Sequence, residues 1–280
     1  MTSTSSPSDL SPSLDWPTPL ALPSALMPEA SSKEKNDSTS SHQRPMSVTI
    51  ITLFPEMYPG PLGISLIGKA LLAGLWSLKT INLRHYGLGR YGAVDDTCYG
   101  GGAGMVIRPD VVHSAVKEAL LGLENPRFVY MTPRGTPMAQ SHFNRYGQSN
   151  QDLVIVCGRY EGVDQRVLDF WKFDEISLGD FVLCGGDIPA MALIEGCVRL
   201  LPGVVHNPES TVTESFQCDL LEHPQYTRPQ EWQGMTVPDV LLSGHHRRIQ
   251  QWQKDQSSAH TQVQRPDLWA RFRAKNSIED

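Results

Sequence analysis

The chain of 280 residues predicts an α/β fold: a mostly parallel sheet covered on both faces, followed by a small all-helical region. Three observations carry this reading. Short apolar runs such as Val48–Phe54 and Leu153–Cys157 are too continuous for a half-exposed strand and suit one buried on both faces. Segments with apolar residues at helical spacing alternate with them. The runs from Phe128 and Leu153 each end at a loop containing Gly or Pro, where ligands bind in sheets of this kind.

Residues 1–45 are rich in Ser, Pro and Thr and lack a sustained apolar period. Such a segment buries too little apolar surface to offset its ordering entropy and reads as a disordered tail. It has no apolar core of a secretory signal, and Asp9, Asp15, Glu29, Glu34 and Asp37 fit poorly with an Arg-rich transit peptide. Met46 opens the ordered part and is itself a candidate start. From there the expected order is a strand over Val48–Phe54, a helix over Ile64–Trp76, a strand over Ile81–Tyr86 and a helix over Val111–Leu121. Strands then follow at Phe128–Met131 and Leu153–Cys157, and a helix apolar on most faces spans Pro189–Leu201. Residues 206–215, with the Asn207-Pro208 breaker, read as a linker. A polar helix over His245–Ser257 and a second one near Pro266 complete residues 216–280.

Composition narrows the function. No apolar run reaches the eighteen residues of a membrane span. The net charge of −6 argues mildly against a nucleic-acid partner, although a local basic surface can oppose it. The five cysteines, Cys98, Cys157, Cys184, Cys197 and Cys218, form no C-x-x-C pair. A reducing, cytoplasmic setting fits them better than a disulfide framework. Cys157, Cys184 and Cys197 read as buried inert thiols.

Three loops stand out. Tyr99-Gly-Gly-Gly-Ala-Gly104 reads either as a turn or as a loop whose amides meet a ligand; it matches neither a Walker A nor a dinucleotide fingerprint. Cys157-Gly-Arg-Tyr-Glu-Gly-Val-Asp164 follows a buried strand, with Glu161 either projecting at a ligand or lying near a helix N-terminus. Ile176 to Ala190 packs three glycines and two aspartates between apolar residues. Glycine supplies close backbone approach there, and Pro189 suits a first helical turn.

In chain order, Thr52-Leu-Phe-Pro-Glu-Met57, Val94-Asp-Asp96, Tyr99-Gly-Gly-Gly-Ala-Gly-Met105, Val156-Cys-Gly-Arg-Tyr-Glu-Gly162, Gly179-Asp-Phe-Val-Leu183, Gly185-Gly-Asp-Ile-Pro-Ala-Met191, Pro202-Gly-Val-Val205, Tyr226-Thr-Arg-Pro229 and Leu241-Leu-Ser-Gly-His245 resemble the bacterial tRNA (guanine-N1)-methyltransferases. The resemblance implies a trefoil-knotted domain of the SPOUT class over 46–205 and a tRNA-binding helical domain over 216–280. It also implies a cytoplasmic homodimer whose active site lies between subunits. The activity implied is methyl transfer from S-adenosylmethionine to N1 of the guanosine immediately 3′ of the tRNA anticodon.

Carried over by motif, the cofactor contacts are Tyr130, Met131, Thr132, Pro133, Gly158, Tyr160, Glu161, Ser177, Leu178, Gly179, Phe181, Leu183, Gly185, Gly186 and Pro189. Arg134 and Ala103 stand where the family commonly has Gln and Pro. Glu214, before Ser215-Phe216, occupies the slot of the family's catalytic aspartate, and Arg199 that of its functional arginine. Guanine N1 carries a proton, so a carboxylate in contact serves as base, and a guanidinium stabilises the charge developing on O6. Glu209 and Asp219 are the rival bases. The family is assisted by Mg2+, for which the sequence holds no dedicated ligand cluster.

Overall fold

The computed structural model describes residues 44–123, 125–148, 151–205, 214–216 and 218–276. The tail reading and most of the predicted linker therefore lie outside the described residues. Five parallel strands form the main sheet: β1 (Met46–Thr52), β2 (Trp76–Asn82), β5 (Arg127–Pro137), β6 (Leu153–Cys157) and β7 (Asp174–Ser177), in the order β2-β1-β6-β5-β7. Between them lie α1 (Ser65–Leu72), α2 (Pro109–Ala119), α3 (Gln140–Gln148), α4 (Gln165–Trp171) and, after β7, α5 (Asp187–Val198). A two-stranded ribbon, β3 (Asp95–Thr97) with β4 (Met105–Ile107), carries the Gly-rich loop at its tip.

The strand period of two splits the core as a doubly covered sheet requires. Val48 and Ile50 of β1 face α1, α3 and α5, in a cluster with Trp76, Tyr146, Leu193 and Ile194. Ile51 faces the other way, toward α2 and α4, with Ile107, Val112, Val116 and Leu168. Central β6 is buried at every position, which explains why its sequence is an unbroken apolar run. α5 buries Pro189, Ala190, Met191, Leu193, Ile194, Cys197 and Val198, as its apolar surround predicts.

Several boundaries differ from the sequence reading, such as the polar helix read over His245–Ser257, which runs to Gln264, and two of the differences have a clear local cause. The helix predicted to Trp76 ends at Leu72, because Gly74 takes φ +71° and turns the chain. Trp76 instead opens β2, fully buried, with its indole N–H donating to the Ile67 carbonyl at 3.1 Å. The strand predicted over Ile81–Tyr86 ends at Asn82, whose side chain accepts from the Arg84 amide and starts a 3-10 turn over Leu83–Tyr86.

Residues 216–280 are not all-helical. A hairpin of β8 (Glu231–Trp232) and β9 (Met235–Thr236) precedes α6 (Asp239–Leu242), α7 (His246–Gln264) and α8 (Pro266–Asn276). Its two turn residues, Gln233 and Gly234, both have positive φ, the geometry of a tight hairpin turn. Buried Thr261 of α7 joins this region together: its hydroxyl donates to the Ser257 carbonyl and accepts from the Leu221 amide at 2.8 Å. Arg44, assigned to the tail by composition, ion-pairs at 2.6 Å with the nearly buried Asp152, which also accepts from the Ser47 amide.

Candidate active site

The carboxyl ends of β5, β6 and β7 enclose a cavity of about 270 Å³. Every residue carried over as a cofactor contact lines it except Gly179. Gly179 instead turns the loop. Its N–H donates to the Ser177 hydroxyl, and a Cβ there would lie 2.7 Å from the Phe181 ring.

Backbone irregularity builds each wall. β5 slips register between Met131 and Thr136, both of which face Ile176, so Thr132–Gly135 bulge out of the sheet and form the first wall. Gly135 has no alternative there: a Cβ would sit 2.4 Å from the Ile176 amide nitrogen. The second wall is the loop after β6, where Tyr160 has φ +58°. Helix α4 begins only at Gln165, capped by Asp164, so Glu161 is not at a helix N-terminus and faces the cavity. The third wall, Ser177–Gly186, holds a second apolar piece in its sequence, and no strand runs through it. Phe181, Val182 and Leu183 are instead an exposed loop rimming the cavity. Cys184 lies in that loop and is exposed, contrary to the buried thiol expected, whereas Cys157 and Cys197 are buried. Burial pushes the Cys197 thiol up to about 12 and that of Cys157 well above its usual value.

The residues present fit a nucleoside-bearing cofactor. Tyr130, Pro133, Leu178 and Phe181 offer apolar surface, glycines at 158, 162, 185 and 186 bring backbone to the cavity edge, and Glu161 supplies a carboxylate. The Gly-rich loop closes in from one side. A Cβ at Gly104 would meet the Glu161 side chain at 2.4 Å, and β4 runs beside Glu161–Asp164, with the Glu161 amide donating to the Met105 carbonyl. Among the described residues no group of three or more His, Cys, Asp or Glu is set to hold a metal ion.

One pair that sequence reasoning missed underlies the cavity. Arg159 donates from Nε and Nη2 to Asp187 Oδ2 at 3.2 and 2.6 Å, and the Asp187 side chain is 1% exposed. The Thr52 hydroxyl donates to the other oxygen at 2.6 Å. The only sequence signal was the company of Arg159 and Asp187 in glycine-rich motifs.

The two candidate catalytic residues meet each other. Arg199, at the C-terminal end of α5, donates from Nη1 to Glu214 Oε2 at 2.8 Å and from Nη2 to Oε1 at 2.6 Å. This two-pronged contact holds the Glu214 carboxyl below its usual range, chiefly through the hydrogen bonds from Arg199. Of the rival bases, Glu209 lies outside the described residues. Asp219 is engaged by Arg271 and Lys275 of α8, which lower its carboxyl. Pro189 at the cavity and Arg199 are ten residues apart along and just beyond α5, roughly 15 Å at helical rise.

The model of the family described as tRNA (Guanine-1)-methyltransferase TrmD matches residues 46–271. Among curated proteins, the tRNA (guanine-N(1)-)-methyltransferase of Ruegeria sp. strain TM1040 is 52% identical over 229 residues, covering 81% of this chain and 93% of that one. The protein of the same name from Rhodospirillum rubrum is 50% identical over 235 residues, covering 84% and 97%. That from Gluconobacter oxydans is 50% identical over 229 residues, covering 82% and 97%. This chain belongs to the tRNA (guanine-1)-methyltransferase family. No helix among the described residues is long and apolar enough to cross a membrane.

Proposed function

We propose that the chain transfers the methyl group of S-adenosylmethionine to N1 of the guanosine immediately 3′ of the anticodon in tRNA. The observation that carries this reading is the convergence of the family's cofactor positions, dispersed from Tyr130 to Pro189, on one cavity at the carboxyl end of the sheet. When bound there, the cofactor supplies an electrophilic methyl on a sulfonium. Glu161 favours that positive charge, and the three loops exclude water and fix the approach line. Glu214 takes the N1 proton, and Arg199 hydrogen-bonds the guanine O6 as charge develops on it.

The Arg199–Glu214 pair must open for this. Its two side chains are 34% and 29% exposed, so the pair is worth on the order of 1 kcal/mol, little enough for an entering guanine to displace. Roughly 15 Å of helical rise separates Pro189 at the cavity from Arg199. In this reading the pair of one chain serves the cavity of a second, in the homodimer with shared sites that the family resemblance implies. In this reading residues 46–205 are the knotted SPOUT-class cofactor domain, residues 216–280 hold the tRNA, and the enzyme works in the cytoplasm.

The test is single-turnover methyl transfer by Glu214→Gln, Glu209→Gln and Asp219→Asn, with cofactor and tRNA binding measured alongside. Glu214→Gln alone should lose about two to four orders of magnitude in rate while binding both substrates. A near-normal rate in that variant removes Glu214 as the base.

A further inference from the structure

Arg159 poses a problem that the proposed chemistry does not answer. It lines the cavity, yet the ligand proposed for that cavity is a sulfonium cation. A guanidinium in the wall would repel it.

The geometry assigns a reason for the residue and a means of cancelling its charge. Arg159 fastens the walls together. Nη1 donates to the Cys184 carbonyl of the loop after β7 at 3.4 Å, and the guanidinium lies 4.5 Å from the Phe54 ring centroid, beyond the end of β1. Gly185 leaves room for it, since a Cβ there would fall 2.4 Å from Arg159 Nε. Asp187 then neutralises it at 2.6 Å. Asp187 is fixed from the far side by Thr52 and stands in the first turn of α5, where a negative charge is favoured. The other charges on the cavity wall are Arg134, which reaches away to Gln165 at 3.2 Å and Glu175 at 3.7 Å, and Glu161.

We propose that the Arg159–Asp187 pair is the charge-balancing element of the cavity: Arg159 positions the loop over the ligand, and Asp187 keeps that cation from discriminating against a sulfonium. The proposal rests on the reading of the cavity as the S-adenosylmethionine site. It makes the pair a determinant of how strongly the protein prefers the sulfonium donor over the neutral thioether left after transfer, S-adenosylhomocysteine.

Titration calorimetry of both molecules tests it, in the wild type and in Asp187→Asn, Arg159→Met and the double variant. The quantity compared is the ratio of the two affinities, normalised to the wild type. With unit charges about 10 Å apart, the scale of the cavity, and an effective dielectric of about 20, one uncancelled charge changes that ratio about tenfold. Asp187→Asn leaves the guanidinium unbalanced and should shift the ratio about tenfold against the sulfonium. Arg159→Met leaves the carboxylate and should shift it toward the sulfonium. The double variant carries no net charge and should return to the wild-type ratio, whatever absolute affinity it has lost.

A purely structural role would lower both affinities together and hold the ratio constant in all three variants, which overturns the proposal while the cavity reading stands. A wild type that binds neither molecule overturns the cavity reading itself. If Asp187→Asn does not fold, Arg159→Met decides: a ratio shifted toward the sulfonium supports charge balance, and a ratio unchanged or shifted against it refutes it.

Discussion

Gly158→Ala separates packing from backbone strain at the cavity. Gly158 does not have a positive φ, so alanine fits its backbone and the whole effect is steric. The new methyl would lie 2.7 Å from the Tyr130 hydroxyl oxygen, 3.0 Å from Cε2 and 3.2 Å from Cζ, against about 3.5–4.0 Å for comfortable carbon contacts. Tyr130 cannot swing clear. It is 2% exposed and is packed in the same cluster as Val154, Val156 and Val163. Overpacking of this kind costs roughly 1–3 kcal/mol. A middle value of about 2 kcal/mol lowers Tm by roughly 4–8 °C for a chain of this size. Because Tyr130 and Gly158 both line the cavity, S-adenosylhomocysteine affinity should fall at least about tenfold. Differential scanning calorimetry and titration calorimetry measure the two effects. A Tm within one degree of wild type, or a lowered Tm with unchanged affinity, would refute the reasoning. The first outcome denies the tight contact, and the second denies that this wall touches the ligand.

Arg44→Ala should cost about 1 kcal/mol by leaving the Asp152 side chain, among the described residues, with the Ser47 amide alone, seen as a Tm drop of roughly 2–4 °C, while a chain beginning at Arg44 keeps its melting temperature. The acid limb of kcat/KM should lie below the ordinary glutamate range. Arg199 lowers the Glu214 carboxyl, and a base loses function as pH falls through its own pKa; in Arg199→Ala the limb should move up toward the usual value. Mixed dimers of Gly158→Ala with Glu214→Gln chains should regain activity, since one site then combines an intact cavity with an intact Arg199–Glu214 pair. Mixing Arg199→Ala with Glu214→Gln should regain none, because the two residues pair within one chain.

The sheet was legible because β6 and the inner half of β5 are buried on both faces and must read as unbroken apolar runs. α5 was legible for the same reason. What escaped reading depends on long-range contacts. Trp76 looks like the last apolar position of a helix and becomes the first of a strand because Gly74 turns the chain and the Ile67 carbonyl receives its indole. Phe181–Leu183 looks like a strand because its residues are apolar, yet they rim a cavity that no local pattern describes. Helix α3 is short and polar on average, and α4 spans only seven residues, so neither stands out as an apolar segment. The Arg159–Asp187 pair joins residues 28 positions apart, a contact that only the fold creates. The cavity residues came from motif resemblance, and Glu214 came from its slot before Ser215-Phe216. That Glu214 would be held by Arg199 had no signal in spacing or composition.

The most direct measurement of the central claim is primer extension on tRNA incubated with the purified chain and methyl-labelled S-adenosylmethionine, because a methyl on N1 of guanine blocks base pairing. The account predicts stoichiometric label and a reverse-transcriptase stop at the guanosine immediately 3′ of the anticodon, both lost when that base is replaced by adenine. Label without a stop there, or a stop at another nucleotide, would contradict it.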